Sequence, residues 1–534
     1  MSEERLNQKT IDDMASEVAH LHSTNTSPHS PSIHAAGTDQ GDHAYFGVDQ
    51  IACMEPIGSE FRRESFLTEF SQSRGPPQIV LLIILLALGF GSTIGVVPAV
   101  MTDRYARLNH DYSDQTYCAD YSMNDKPKAC LLGSADAQNA VAFEQLISNI
   151  FTFFTSSLIG SLSDEYGRKG ILTLGVLMST MSPLCLLLIQ LRPEMSPFWY
   201  YTVGAVQGLI SWITIALSAL SDVMPPKWRA PSFGLLLAGF SLGFAMAPQL
   251  ALILGHFYVT VVSLFMVLSG LLIVVFFFPE TLRPETAREA RRVREAQVED
   301  LSASKLALSN ILRPMRELSI LNRNRLFRLL SLLAFFSGLV TAGDRTLLIY
   351  YIEERLGFGD KDIATMFMIM GVLGIFVQGV VLKLLNEAIG ERMVVTLCFC
   401  LGSFHNLLYG LAKDKTTIFL AVAISAFGGM AFPTISAIKA NNVNESEQGR
   451  IQGALFSLQA LASATGPMLL RFIYHLTKDG AFLGPGSMFV VASGIYLIAV
   501  YCAYSLPDEA NSLRKERPFA DVDMDEPSSN MPLL

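Results

Sequence analysis

Long apolar runs separated by short polar segments dominate the hydropathy pattern of this chain. A helix that crosses about 30 Å of hydrocarbon needs roughly 20 apolar residues, and only helices and closed barrels satisfy their backbone hydrogen bonds in lipid. These runs are too long to be barrel strands. The pattern therefore predicts an all-α membrane protein with twelve transmembrane helices. The predicted spans are residues 79–101, 140–162, 171–191, 198–220, 233–254, 259–278, 326–350, 364–385, 394–411, 418–438, 451–474 and 488–506.

A polar segment divides the twelve runs into two sets of six. We predict a first six-helix bundle over residues 77–280, a central loop over 281–325 and a second bundle over 326–506. The tails, residues 1–76 and 507–534, are polar and have the composition of disordered segments. The first tail contains no apolar core of a secretory signal, so the first span is expected to serve as the insertion signal.

Charge placement predicts the orientation. Eleven Lys and Arg residues lie in and just after the central loop, from Arg283 to Arg328, far more than in any other loop between spans. The positive-inside rule places this loop in the cytoplasm, and an even number of spans places both tails there too. Over residues 304–322, Leu and Ile recur at near-helical spacing, which fits a helix on the membrane surface or a solvated linker helix. The loop with Cys118 and Cys130 is then extracytoplasmic, where either a disulfide or two separate thiols fit the sequence.

Composition agrees with a membrane protein. Of 534 residues, 51% are hydrophobic and only 16% are charged, whereas soluble domains have roughly a quarter charged residues. The formal net charge of −9 indicates no nucleic-acid partner and no acidic one, because the charges lie in tails and loops. The sequence contains no nucleotide-binding loop, no HExxH motif and no clustered His, Cys and Asp residues. We therefore expect no enzyme, cofactor or metal site.

Short patterns recur in the two sets of spans. Gly234 precedes Pro248 by the same interval that separates Gly453 from Pro467. The segment "SDEYGRKG" after the second span is echoed by "LNEAIGERM" after the eighth, and "FFPET" after the sixth by "SLPDE" after the twelfth. A parallel duplication of a six-helix unit explains all three coincidences. We predict packing and hinge roles for Gly234, Gly243, Pro248, Gly453, Gly466 and Pro467.

The segment "GSLSDEYGRKG", which begins at Gly160, places two carboxylates and two cations between apolar runs. Glycines permit close helix approach and a tight reversal, and Asp164 can accept hydrogen bonds from free N–H groups at the start of a neighbouring helix, such as the eleventh span. The cations can bridge to acids or to lipid phosphate. A basic loop that only fixes topology would not explain Asp164 and both glycines. We therefore predict a gating latch, worth about 1–3 kcal/mol, that consists of Gly160, Asp164, Gly167, Arg168 and Lys169, with Gly390 and Arg392 in the second repeat.

This segment also matches the signature G-x-L-x-D-x-x-G-R-[KR]-x-x-L, and the chain over roughly residues 77–506 resembles the major facilitator superfamily. The segments "IQGALFSLQALASATGP" and "ALSDV…R…FG" are most similar to the branch of tetracycline/proton antiporters and hippocampus-abundant-transcript-like proteins. The resemblance implies two six-helix bundles that move a small organic solute by alternating access, with the latch favouring the outward-open state. Proton-coupled exporters of this type have R-x-x-Q-G in the fourth span, where this chain has Gly204. The pattern G-P-x-x-G-G of the fifth span is also altered, so proton symport and facilitated diffusion stay open.

Ionisable groups inside spans are costly and mark functional positions. A carboxylate at depth can exchange protons, so Glu144 or Asp344 is a candidate proton carrier, although Asp344 and Arg345 also fit an outer-rim salt bridge. A polar stripe along the fourth span ends at Asp222 and fits either a polar path or hydrogen bonds to a neighbouring helix. His405 and Asn406 are expected to be structural, since the ninth span is peripheral in the family. The predicted path residues are Glu144, Gln207, Ser211, Thr214, Asp344 and Arg345.

The sequence thus predicts a monomeric multi-pass transporter in a lipid bilayer, with a small-molecule solute and protons as partners. A receptor or scaffold of the same fold that transports nothing is the alternative, since the tails are long. Solute-dependent flux separates the two.

Overall fold

The computed structural model describes residues 65–118, 121, 127–296, 312–358, 360–477 and 484–507. All secondary-structure elements within these ranges are helices or helical turns. The α-helices are α1 Phe66–Gln72, α2 Pro76–Ser92, α3 Val96–Asn109, α4 Lys128–Tyr166, α5 Arg168–Leu191, α6 Phe198–Gln207, α7 Trp212–Val223, α8 Pro226–Ile253, α9 His256–Leu272, α10 Pro284–Ala296, α11 Arg313–Glu317, α12 Arg325–Leu356, α13 Asp360–Phe376, α14 Leu382–Leu411, α15 Lys415–Gly428, α16 Ala431–Asn441, α17 Gln448–Thr477 and α18 Ser487–Tyr504. Short 3-10 turns cover Leu318–Asn322, Glu445–Glu447 and Gly484–Gly486, and single π-helical turns cover Ile273–Phe277 and Val377–Val381.

The helices have the length and apolarity of membrane spans. Ten helical segments within the described ranges are long and apolar enough to cross a bilayer. One of them, Thr365–Leu411, contains Gly390, where the backbone leaves the helical region. Each predicted span overlaps a helix of the structure, including α8 for the fifth span. The prediction of an all-α membrane fold is confirmed.

Three spans expected to be continuous are interrupted. The first span breaks between α2 and α3, the fourth between α6 and α7, and the tenth between α15 and α16. At the second break the backbone of Ser211 is extended, with φ −79° and ψ 99°. The third break contains Gly429, whose N–H donates to the carbonyl of Ala426, three residues back. If the fourth and tenth spans are related by the predicted duplication, these two breaks are counterparts in the two halves.

Apolar packing forms two main hydrophobic clusters. One draws its buried residues from positions 330–506, with Phe399 and Phe489 among the largest. The other draws on positions 66–278 and adds Ala437 and Ala440 of α16. Since each cluster belongs mainly to one half of the chain, the packing agrees with two bundles that contact each other along α16.

The end of the first tail does not follow the predicted disorder. Residues 1–64 lie outside the described residues, but α1 buries Phe66 and Phe70. The ring of Phe66 lies 5.5 Å from the ring of Trp228, measured between centroids. Lys383 of α14 lies over both Phe66 and Trp228. The apolar face of "FLTEF" explains this docking. Of the predicted surface helix at 304–322, residues 304–311 lie outside the described residues, and the remainder contains α11 and the following 3-10 turn.

The loop between α3 and α4 is closed by a disulfide between Cys118 and Cys130, whose Cα atoms lie 5.5 Å apart. The backbone N–H of Cys118 donates to Asp103 Oδ1 over 3.2 Å, and Asp103 pairs with Arg107 over 2.7 Å. The cross-link therefore fastens the start of α4 to the end of α3.

Replacing Cys118 with serine is expected to lower the thermal unfolding midpoint of the purified protein. A cross-link that closes a loop of about this length stabilises a fold by about 2–4 kcal/mol, chiefly by restricting the unfolded chain. Thermal unfolding monitored by tryptophan fluorescence measures the shift. The matched control is Cys400→Ser, since Cys400 is a free, exposed cysteine. Equal midpoints for the two variants would contradict a stabilising cross-link.

Candidate functional site at the junction of the two bundles

The two halves of the chain meet where α4 ends and α17 begins. A methyl group at Gly160 would overlap the carbonyl oxygen of Gly449, and one at Gly453 would overlap the carbonyl oxygen of Ser156. Residues without a β-carbon thus let the two backbones approach this closely. We call this region, with the side chains of Asp164, Arg168 and Asp222, the junction.

Asp164 caps the first turn of α17, as predicted. Its Oδ1 accepts a hydrogen bond of 2.7 Å from the backbone N–H of Gly449, and its Oδ2 accepts one of 2.8 Å from Arg450. These N–H groups lie in the first turn of a helix, where they lack intrahelical partners and the helix dipole favours an anion. The Asp164 side chain is only 2% exposed. A carboxylate of the first bundle therefore binds directly to a helix of the second.

Arg168 holds two carboxylates together. Its guanidinium is fully buried, lies 2.7 Å from Asp164 Oδ1 and donates two hydrogen bonds to Asp222, of 2.9 Å from Nε and 3.1 Å from Nη2. Ser163 Oγ accepts a further hydrogen bond of 2.6 Å from Nη1. Removing one partner of a buried ion pair costs about 3–5 kcal/mol, because the other charge stays unpaired. The junction is consequently sensitive to the loss of any one of the three charges.

The turn between α4 and α5 requires glycine. Gly167 has φ +103°, and a methyl group there would lie 2.6 Å from Glu280 Oε2. Glu280 caps α5, since its carboxylate accepts hydrogen bonds of 2.8 Å and 3.1 Å from the backbone N–H groups of Arg168 and Lys169. Lys169 thus contributes to this arrangement through its backbone N–H group. Glu280 was not predicted as a functional residue from the sequence. Its position in the repeated "FFPET" motif could have identified it.

The second repeat has the same turn, with different ion pairs around it. Gly390 has φ +77° and ψ 160°, close to the values of Gly167. Glu387, at the position of Asp164, forms a 3.8 Å ion pair with Lys383 on the same helix. Arg392 donates to the carbonyl of Tyr504 and lies over its ring, within the second bundle. The latch role of Gly390 and Arg392 stays a prediction.

Arg229 forms a second polar contact between the bundles. From α8 it donates to the carbonyl oxygens of Ser221 and Ala440, both over 2.9 Å, and to Asn441 Oδ1 over 3.0 Å. These acceptors lie in the last turns of α7 and α16, where a cation is favourable. The first bundle thus presents an anion to the N-terminus of α17 and a cation to the C-terminus of α16.

The central segment crosses the same contact between α4 and α17. Arg313 of α11 pairs with Glu165 at the end of α4 and with Glu317 over 3.3 Å. Glu317 in turn pairs with Arg450 of α17 over 2.8 Å. A chain of alternating charges therefore links the last turn of α4 to the first turn of α17 through the central segment.

Glu144 lies on α4 beside α6. A methyl group at Gly204 would overlap its carboxylate, so the glycine that replaces the exporter arginine makes room for this side chain. Further along α4, the hydroxyl groups of Thr152 and Thr155 donate to the carbonyl of Gly208 over 3.0 Å and 3.5 Å. The break between α6 and α7 thus lies directly against this face of α4.

The other predicted path residues divide into two groups. Gln207 donates to the carbonyl of Met178 over 3.0 Å and to Ser182 Oγ over 2.8 Å on α5, and Thr214 is fully buried. In this structure these two side chains pack between helices, and their place on a path stays a prediction. Ser211 is half-buried at the break itself.

Asp344 and Arg345 do not form the outer-rim salt bridge that the sequence allowed. Asp344 Oδ2 accepts a hydrogen bond of 3.2 Å from Asn406 and lies 3.6 Å from His405 Nε2, whereas Arg345 is exposed. Local sequence patterns could not reveal this cluster, because its members lie about sixty residues apart on separate helices.

The packing glycines lie at close helix crossings. A methyl group at Gly234 would lie 2.7 Å from the carbonyl of Gln378 in the second bundle. Methyl groups at Gly243 and Gly466 would overlap Ala87 and the carbonyl of Leu339, each within one bundle. Pro467 lies inside α17, and the surroundings of Pro248 are outside the described side chains.

Comparison with known proteins identifies the family. The model of the Major Facilitator Superfamily matches the chain over residues 79–467 and again over 379–523. The chain belongs to the major facilitator superfamily. Members of this superfamily transport solutes across membranes, and the chain is accordingly a membrane solute transporter.

Several superfamily members are similar over most of the chain. The human hippocampus abundant transcript 1 protein is 26% identical over 399 residues, which cover 69% of this chain and 78% of that protein. The class H tetracycline resistance protein of Pasteurella multocida is 25% identical over 80% of this chain and 94% of its own length. The crystal structure of the human organic anion transporter MFSD10 (TETRAN) superposes with a TM-score of 0.65 at 20% identity, covering 80% of this chain and 99% of that one.

Proposed function

We propose that this superfamily member moves a small organic solute by alternating access and that the junction is its gate at the cytoplasmic end. The observation that carries the proposal is the direct capping of α17 by Asp164 across the two bundles. Hydrogen bonds to charged groups contribute about 1.5–3 kcal/mol each. A gate of this strength holds one end closed and can still open in each transport cycle.

The orientation of this gate rests on two features. The basic central segment, which pairs with α4 and α17, favours the cytoplasm. The disulfide at the opposite ends of α3 and α4 favours an oxidising compartment. We accordingly propose that both termini are cytoplasmic and that Asp164 faces the cytoplasm.

We propose that the solute binds near the paired breaks of the fourth and tenth spans. Interrupted helices at corresponding positions of two repeats point to a transporter's binding site, because they free backbone donors and acceptors. Glu144 lies one helical turn from the first break, against Gly204, and we assign its carboxylate to the solute path.

Comparing the small-molecule contents of cells with and without the protein, at two external pH values, tests the transport function. We expect at least one organic solute to differ and the purified protein in lipid vesicles to carry it. If the folded protein moves no such solute in vesicles, the non-transporting alternative holds.

Glu144→Gln is expected to lower the flux of that solute about tenfold or more, because one charge-assisted contact is lost. Flux into vesicles at matched protein content measures the effect. The control is Asp136→Asn on the same helix, where the carboxylate pairs with His110 near the surface. Equal flux in both variants would remove Glu144 from the path.

A further inference from the structure

A polar cluster that the junction does not use lies between α12, α14 and α18. Asp344 and His405 have side chains that are 14% and 7% exposed, and Asp344 Oδ2 lies 3.6 Å from His405 Nε2. Asn406 Nδ2 lies 3.0 Å from His405 Nε2 and 3.2 Å from Asp344 Oδ2. Ionisable groups inside a membrane bundle are rare and mark ion or proton pathways.

The cluster has fewer hydrogens than acceptors. His405 Nδ1 lies 3.2 Å from the carbonyl of Leu401, which can only accept, so in neutral His405 the hydrogen is on Nδ1 and Nε2 is an acceptor. The two hydrogens of Asn406 Nδ2 face three acceptors, namely His405 Nε2, Asp344 Oδ2 and, over 3.3 Å, the carbonyl of Gly402. Asp344 Oδ1 is buried and has no partner among the described residues. A proton on His405 Nε2 would turn one of these three acceptors into a donor to Asp344.

We propose that Asp344 and His405 together bind one proton, held between His405 Nε2 and Asp344 Oδ2, and that this is the coupling proton of the transporter. A hydronium ion supplies the proton. An N–H bond forms at His405 Nε2, the hydrogen bond from Asn406 to that nitrogen breaks, and the new N–H donates to Asp344. Return of the proton to water restores the neutral imidazole.

The surroundings suit a site that water reaches intermittently. Tyr409 of α14 and Tyr496 of α18 face the pair, and the His405 ring lies 5.3 Å and 6.4 Å from theirs, measured between centroids. From α17, Leu470 packs against Gly343, the residue before Asp344. Arg345 and Thr346 follow Asp344 and are exposed. A guanidinium is costly against hydrocarbon, which indicates that this face of α12 adjoins water.

Infrared titration of the purified full-length protein in water and heavy water tests this site without a known solute. We expect a carboxyl band that changes with pH and disappears in Asp344→Asn. In His405→Gln, the pH dependence of this carboxyl band should differ from that of the wild-type protein, because the proton is held between the two side chains. Monodisperse elution of each variant establishes that it has folded.

The matched control is His256→Gln, since His256 is exposed at the start of α9 and its replacement should leave the bands of the pair unchanged. A pH dependence that His405→Gln leaves in place, or a spectrum that Asp344→Asn leaves unchanged, would overturn the inference. The role in coupling rests on the proposed transport function, but the titration does not. If the protein transports solute but the infrared bands of the pair do not titrate, only the proton-binding inference is wrong. If the bands titrate but no solute is transported, only the proposed function is wrong.

Discussion

Asp164→Asn is expected to weaken closure of the junction and to slow transport while leaving membrane insertion intact. Asparagine keeps the shape of the side chain, but it removes the charge that caps α17 and pairs with Arg168. A coupling loss of about 1–3 kcal/mol changes a conformational equilibrium about 5- to 150-fold. Ser157 is buried at the junction. The alkylation rate of Ser157→Cys, in protein from which Cys53, Cys185, Cys398, Cys400 and Cys502 have been removed, reports the opening and should rise by a factor in that range.

The second repeat supplies the control for this experiment. Glu387 precedes Gly390 by three residues, as Asp164 precedes Gly167, but it pairs with Lys383 on its own helix. Glu387→Gln should leave both the alkylation rate and the flux near the wild-type values. If Asp164→Asn behaved like Glu387→Gln, the carboxylate would be a structural cap and no part of a gate.

Gly160→Ala is expected to prevent full closure of the same end. The added methyl group would overlap the carbonyl oxygen of Gly449, and a backbone atom cannot rotate away as a flexible side chain can. Overpacking of this kind costs about 1–3 kcal/mol, occasionally more, and here that cost falls on the closed state alone. We expect faster alkylation of Ser157→Cys and reduced flux, with normal insertion.

Gly170→Ala is the matched control for the glycine contact. Gly170 lies in the first turn of α5, where a methyl group would meet nothing within 4 Å. Both variants replace helical glycine with alanine, and that exchange favours a helix by up to about 1 kcal/mol. A difference between them therefore reports the contact with Gly449 and not helix propensity. Normal alkylation and flux in Gly160→Ala would mean that α4 and α17 do not need this approach.

The sequence predicted contacts correctly where a short motif restricts the backbone or places a charge at a helix end. Glycine at a reversal and a carboxylate at the end of a span predicted that Asp164 would contact the start of the eleventh span, and the contact is present. The partners of Arg168 were harder to predict. Asp222 was visible only as the end of a polar stripe and Glu280 only as part of a repeated motif, because neither lies near Arg168 in sequence.

Hydropathy could not reveal the helix breaks or the cluster around Asp344. The break at residues 208–211 contains Gly, Leu, Ile and Ser, so an average over the span remains apolar. The same average treats Gly429 as part of a continuous tenth span. His405 was expected to be structural because its helix is peripheral in the family, but contact with Asp344 depends on how α12 and α14 pack. Such packing between distant segments is not encoded in local periodicity.

The opening of the junction can be measured most directly as the distance between spin labels at Tyr166 and Asn444. Double electron–electron resonance in lipid nanodiscs gives this distance. Both side chains are exposed, one at the end of α4 and the other shortly before α17. Two separations are expected in the wild-type protein, with the longer one enriched by Asp164→Asn and by Gly160→Ala. A single short separation in all three proteins would contradict a gate at this end.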